Sequence, residues 1–189
     1  MGGLNKRAHL IHTGQEVIWS KGYDLASIKD ITNAAGLPKG SFYHYFESKE
    51  KFALEAMNEF IATFKEELPD SKNDLTSLEK LIDVRIASIL KINYARECYM
   101  SVMCHAYTEQ DEAFRVAVLD ALELSNEAMH SLLVSLKDKR LINQNLAIDE
   151  LMEFVDFSWR GARLKARLMK SDKPLILFKK YLFDLLKPA

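Results

Sequence analysis

Two cysteines in 189 residues leave no room for a disulfide framework. Read on a single helix, Cys98 and Cys104 lie six residues and about 9 Å apart along the axis, too far to bridge. The setting this implies is a reducing, cytoplasmic one. Glycine and proline are scarce, at seven and four, and β-branched residues come in short runs. Both argue against a turn-rich β architecture and for an all-α one. No apolar run approaches the roughly 18 residues of a membrane span, so no membrane partner is expected. The first residues are polar and periodic, unlike a signal peptide. The chain has no internal repeat and no low-complexity tract. The formal net charge is only −1, so bulk charge does not mark a nucleic-acid binder. His9 and His12 are spaced i, i+3 and His105 adjoins Cys104, but no three ligands converge, so neither metal nor other cofactor is expected. There is no nucleophile–base–acid set, glycine-rich phosphate loop or carboxylate pair, which excludes an obvious enzyme.

What is present is apolar material, 48% of the chain, ample for a core. The charge is uneven. Residues 1–51 hold seven Lys/Arg and five Asp/Glu, a surplus of two positive charges, and the remainder holds 19 against 22. The stretch from Ser27 to Lys51 is the most strongly patterned. Ile28, Ile31 and Ala34/Ala35 keep one apolar face of a short helix. Ser27 is its N-cap, with Asp30 completing a capping box in which Asp replaces the usual Glu. Gly36 supplies a left-handed turn position, and Pro38 suits the first turn of a second helix. Phe42 and Phe46 fall at i, i+4 as core, leaving Lys39, Ser41, Tyr43 and His44 for other faces. Ser48 caps a further helix, with Glu50 in its first turn. Two helices joined by a glycine turn make a helix-turn-helix, whose second helix can enter a major groove.

Gly22-Tyr23, Ser27-Ile28, Ile31, Ala35-Gly36, Lys39-Gly40-Ser41-Phe42-Tyr43-His44-Tyr45-Phe46 and Ser48-Lys49-Glu50 together resemble the DNA-binding signature of the TetR family of transcriptional regulators. The match is ungapped over roughly the first 60 residues. Ala26 stands where the pattern often has Thr, and Pro38 where it often has Ser. Each removes a phosphate contact or a cap and leaves the fold intact. The resemblance implies DNA contacts from Ser27, Lys39, Gly40, Ser41, Tyr43, His44, Tyr45 and Lys49. Gly40 lets the backbone approach, Ser41 reaches a base edge or phosphate, and Tyr45 is divided between core and phosphate. Lys6 and Arg7 are read either as an arm touching DNA or as solvated charges.

Helical periodicity continues over 4–21, 48–66, 75–92, 94–107, 110–138, 148–170 and 174–187. The second half of the 48–66 helix, Phe60 to Phe64, points to a body beyond the head. Pro69 to Asn73 reads as a linker and Leu141 to Leu146 as a loop. The expected domains are residues 1–51 for DNA binding and 52–189 for effector binding and dimerisation. The 94–107 stretch, read as one helix, is rich in Tyr, Met and Cys. Tyr94, Cys98, Tyr99, Met103 and Tyr107, with Trp159 and Arg163, are the candidate effector residues, a soft lining with polar tips. The resemblance further implies that the last two helices form a homodimer. Gly161, Ala162 and Ala166 give close approach, and Phe157, Trp159, Leu164, Leu175, Phe178, Leu182 and Leu185 supply apolar surface. The function this reading predicts is repression at double-stranded operator DNA, relieved by a small molecule. The rival is a helical ligand- or redox-sensing protein, acting through Cys98, that no longer reads DNA.

Overall fold

The computed structural model describes residues 3–66, 74–106 and 112–188; the expected linker at Pro69–Asn73, the side chain of Phe64 and Tyr107 lie outside the described residues. The described residues form nine helices and no strand: α1 (Gly3–Lys21), α2 (Ile28–Ala34), α3 (Lys39–Tyr45), α4 (Lys49–Glu66), α5 (Leu75–Lys91), α6 (Tyr99–Cys104), α7 (Glu112–Asp138), α8 (Ile148–Met169) and α9 (Lys173–Leu186). They fall into two compact units that interleave along the chain. One comprises residues 1–65 and 98–124, the other 66–97 and 125–189.

The first unit is built around an apolar core in which Leu10, Ile18, Ile31, Phe42, Phe52 and Ile61 are fully or almost fully buried. Gly14 is what brings α1 and α4 together. A Cβ at that position would lie 2.2 Å from Cζ of Phe52. The aromatic triad Phe42, Phe46 and Phe52 locks α3 onto α4, with ring centroids 5.0–5.4 Å apart. Phe60, in the second half of α4, packs on Tyr99 of α6 at 5.3 Å. Thus α6 and the start of α7 belong to the same compact unit as the helix-turn-helix.

The second unit buries Leu78, Leu81 and Ile82 of α5 against Leu132, Leu133 and Leu136 of α7, Leu151 and Val155 of α8, and Leu182 and Leu186 of α9. Lys179 of α9 donates to Asp83 at 2.6 Å and pairs with Glu79 at 2.9 Å, both on α5. Burial alone would depress the Lys179 pKa, but the two carboxylates outweigh it and hold it above its ordinary value. Asp74 caps α5 by accepting from the Ser77 N–H at 2.8 Å. Pro174 sits in the first turn of α9, as its missing N–H favours.

Two expectations are corrected. The 94–107 stretch is not one helix. Asn93 and Tyr94 both adopt left-handed backbone (φ 48° and 57°), and α6 begins only at Tyr99, with Cys98 as its N-cap. Asn93 and Tyr94 return their N–H groups to Leu90 and Ile89, which ends α5. Asn is among the few residues that tolerate this region. Cys98, the N-cap, and Cys104, the last residue of α6, still lie six residues apart along this shorter helix, and both are half-buried. Leu175, Leu182 and Ala166, expected on a dimer surface, are instead buried within their own unit.

Candidate functional site

The turn between α2 and α3 is set by backbone hydrogen bonds. Gly36, at φ +65°, donates to the Asn33 carbonyl, and Leu37 donates to that of Thr32 at 2.9 Å. This is the Schellman pattern, with Leu37 packing back on the core. At the other end of α2 the capping box is complete. The Ser27 oxygen accepts from the Asp30 N–H at 3.1 Å, and the Asp30 carboxylate accepts from the Ser27 N–H at 2.9 Å. Lys21, from the last turn of α1, donates to the same carboxylate at 2.7 Å. The Lys21 bond, then those from Ser27, hold the Asp30 carboxyl far below its ordinary value. Three residues, Lys21, Ser27 and Asp30, thus fix the entry angle of α2 relative to α1.

The outer side of α3 carries the sequence-nominated DNA contacts. Lys39, Gly40, Tyr43 and His44 are exposed, Ser41 and Tyr45 half-buried. Phe42, between them, is fully buried. A Cβ built on Gly40 meets nothing within 4 Å, so the helix offers bare backbone at its first turn. Tyr43 stands edge-on to Phe42, and the His44 ring lies edge-on to Tyr45 at 4.8 Å. These contacts hold polar tips on a rigid apolar base. Pro38 is the N-cap residue of α3 and gives no side-chain cap.

Ser27 and Lys49 have a second engagement. The Ser27 hydroxyl donates to Asp30 at 2.7 Å. A phosphate oxygen only accepts, so a contact there would have to take that proton away from the cap. The Lys49 ammonium lies 4.2 Å from the Tyr23 ring centroid. Burial lowers its pKa, with Asp24 and Glu50 pulling the other way. Ser48 caps α4 by accepting from the Lys51 N–H at 3.1 Å, and its bond to Glu50 is the largest cause of the low pKa of that carboxyl. Tyr23 in turn packs on Phe114 of α7, ring centroids 5.3 Å apart. Sequence reading had not singled out Phe114 for this, because nothing in its helical period reveals a stack on Tyr23. Arg7 has partners on the head itself. It pairs with Glu55 of α4 and lies 5.2 Å over the Phe46 ring.

The candidate effector residues divide between the units. Cys98, Tyr99 and Met103 belong to the core of the first, Tyr99 and Met103 fully buried. Tyr94 and Trp159 pack on a small cluster of Ile89, Ala166 and Leu175 in the second, where Trp159 also stacks on Phe178 at 5.2 Å. Arg163 is half-buried on α8. No group of three His, Cys, Asp or Glu among the described residues is placed to hold a metal ion. No described helix is long and apolar enough to cross a membrane.

An all-helical chain with a rigid helix-turn-helix head and a separate helical unit belongs to the class of helix-turn-helix regulators. Residues 10–56 match the family model for bacterial regulatory proteins of the tetR family. The chain is 27% identical over 184 residues to the transcriptional repressor DhaR of Mycobacterium sp. strain GP1, covering 97% of this chain and 93% of that one. It is 28% identical over 174 residues to the transcriptional regulator AcuR of Cereibacter sphaeroides, 89% and 80% of the two chains. The crystal structure of a regulatory protein TetR from Rhodobacter sphaeroides superposes with a TM-score of 0.82 at 26% identity, over 95% of this chain and 97% of that one. Residues 10–56 thus carry the tetR-family DNA-binding segment, and over nearly its whole length the chain is similar to TetR-type transcriptional regulators.

Proposed function

We propose that this regulator is a homodimeric repressor that binds double-stranded operator DNA through α3 and releases it when a small molecule binds. The observation that carries the reading is the outer side of α3, where Lys39, the bare backbone of Gly40, Ser41, Tyr43 and His44 stand on a base made rigid by Phe42. In this reading cations and hydroxyls there meet phosphates, and Ser41 beside Gly40 reaches a base edge. The DhaR relative is itself named a transcriptional repressor. The dimer surface in this reading is the open apolar side of α8 and α9, where Phe157 is 60%, Leu168 78% and Tyr181 55% exposed. Gly161 lies on that surface with nothing near its Cα hydrogen, so a partner backbone can approach. The effector reading places the ligand at Cys98, Tyr99 and Met103, within the first unit. The cellular site in this reading is the cytoplasm. The test is to sequence the DNA retained by the purified protein from fragmented genomic DNA. A palindromic motif recovered by the wild type and lost in Gly40→Val supports operator reading. Retention without any shared motif favours the rival, a sensor that does not read DNA.

A further inference from the structure

The fully buried Tyr99 ring ends in a hydroxyl that has no hydrogen-bond partner among the described residues. A buried donor left unpaired is costly, and native proteins leave few of them. A phenylalanine would fill the same space without that cost. The ring itself is well held: Trp19 of α1 lies edge-on at 5.8 Å and Phe60 of α4 packs at 5.3 Å. Around it the same core takes in Met100 and Met103, with Cys98 and Cys104 packed against it. Thioethers are deformable walls that re-pack around a guest. The orphan hydroxyl and the soft surroundings are independent features, and both point to a guest.

Resting on the effector reading above, we propose that Tyr99 is the hydrogen-bond donor that recognises a small, uncharged, largely apolar effector bearing a ketone, ester, amide or comparable acceptor. The guest is held in the first unit beside Trp19 and Phe60. Burial drives the Tyr99 pKa strongly upward, so the group remains a neutral donor across the physiological range. A carboxylate or phosphate in the same place would meet the same desolvation that suppresses the tyrosinate. The acceptor fixes orientation and the apolar remainder supplies affinity. Trp19 and Phe60 sit on the helices on either side of the helix-turn-helix, so displacing the Tyr99 ring is felt by both.

The experiment uses the full chain without DNA. Cyclohexanone, acetophenone and N-methylpyrrolidone are titrated by calorimetry beside the hydrocarbons cyclohexane and ethylbenzene and the anion cyclohexanecarboxylate. At least one of the three acceptor compounds is expected to bind about tenfold or more tightly than the hydrocarbons, because a site built around a donor rejects analogues lacking an acceptor. In Tyr99→Phe that preference falls to near unity. The binding also changes tryptophan emission, and the change disappears in Trp19→Phe. Because the hydroxyl is unpaired, Tyr99→Phe alone melts at the wild-type temperature or above. A lower melting temperature for Tyr99→Phe, a preference for the carboxylate, a preference that survives in Tyr99→Phe, or no binding of any acceptor compound overturns the proposal. Operator retention is measured separately. An anionic effector that releases DNA equally from wild type and Tyr99→Phe would leave the repressor reading standing and remove this one.

Discussion

Lys39 and Lys49 look alike in the sequence and differ in the folded head. Lys39 is exposed at the start of α3, whereas Lys49 rests on the Tyr23 ring with Asp24 and Glu50 nearby. Lys39→Ala is expected to weaken binding to all DNA sequences alike and to shallow the salt dependence by about one unit per protomer. Lys49→Ala should do the same and also free Tyr23. Titrations at several salt concentrations measure both, and unchanged slopes would refute phosphate contact. Asp30 gives a prediction in pH. Its carboxyl is held below the ordinary 3.8 by Lys21 and then Ser27, and Glu50 is likewise held low by Ser48. A carboxyl depressed in the folded state adds stability above its unfolded pKa, and that stability is lost as pH falls through the folded value. The head should therefore lose stability below about pH 4, and Asp30→Asn should flatten the fall. Melting curves between pH 6 and pH 2.5 read it out. The capping box was legible from Ser27 and Asp30 three residues apart. Lys21 was not, because its partner lies on another helix, and neither was the pairing of Arg7 with Glu55, 48 residues away.

Among the elements, α1 to α4 were legible because each carries its own punctuation: Gly22, Ser27, Gly36, Pro38 and Ser48. The stretch after α5 was misread because Tyr, Met and Cys carry no period of their own and Asn93 was not taken as a stop. Ala34 shows the limit of pattern reading inside a helix. Of the two adjacent alanines only Ala35 is buried, and the buried face is completed by Thr32, whose hydroxyl donates to the Ile28 carbonyl at 3.0 Å. Two helical glycines of the head, Gly14 and Gly40, separate packing from function. Gly14→Ala places a methyl against Phe52 and Ile31 and should cost roughly 1–3 kcal/mol of overpacking. Gly40→Val enters open space and should leave stability within about 0.5 kcal/mol while abolishing specific DNA binding. Urea unfolding with a gel shift distinguishes them. Equal stability loss in both would mean that Gly40 is packed.

For the whole molecule, the amphipathic pattern of α8 and α9 announced more apolar surface than one chain can bury, but not which residues face which way. Leu175 and Leu182 had read as outward; both turn inward, Leu182 beside Leu78, Ile82 and Leu133. Phe157, Leu164, Leu168, Ile176, Leu177 and Tyr181 remain at least half exposed. An apolar patch of this kind marks an interaction site. The distinction makes the dimer testable without confusing dissociation with unfolding. Leu182→Glu would bury an unpaired charge in the core and should unfold the second unit. Phe157→Glu or Leu168→Glu leaves that core intact, so each should keep its helix content and melting behaviour while running as a monomer in sedimentation at micromolar concentration. The consequence for DNA follows from tethering. In a dimer the second head binds its half-site at an effective concentration set by the first, which raises affinity by 10² to 10⁴ without any new contact. Monomeric Phe157→Glu, with α3 unchanged, should lose a factor in that range on a palindrome and almost nothing on an isolated half-site. A variant that is monomeric yet binds the palindrome as tightly as the wild type would show that the two heads do not act together.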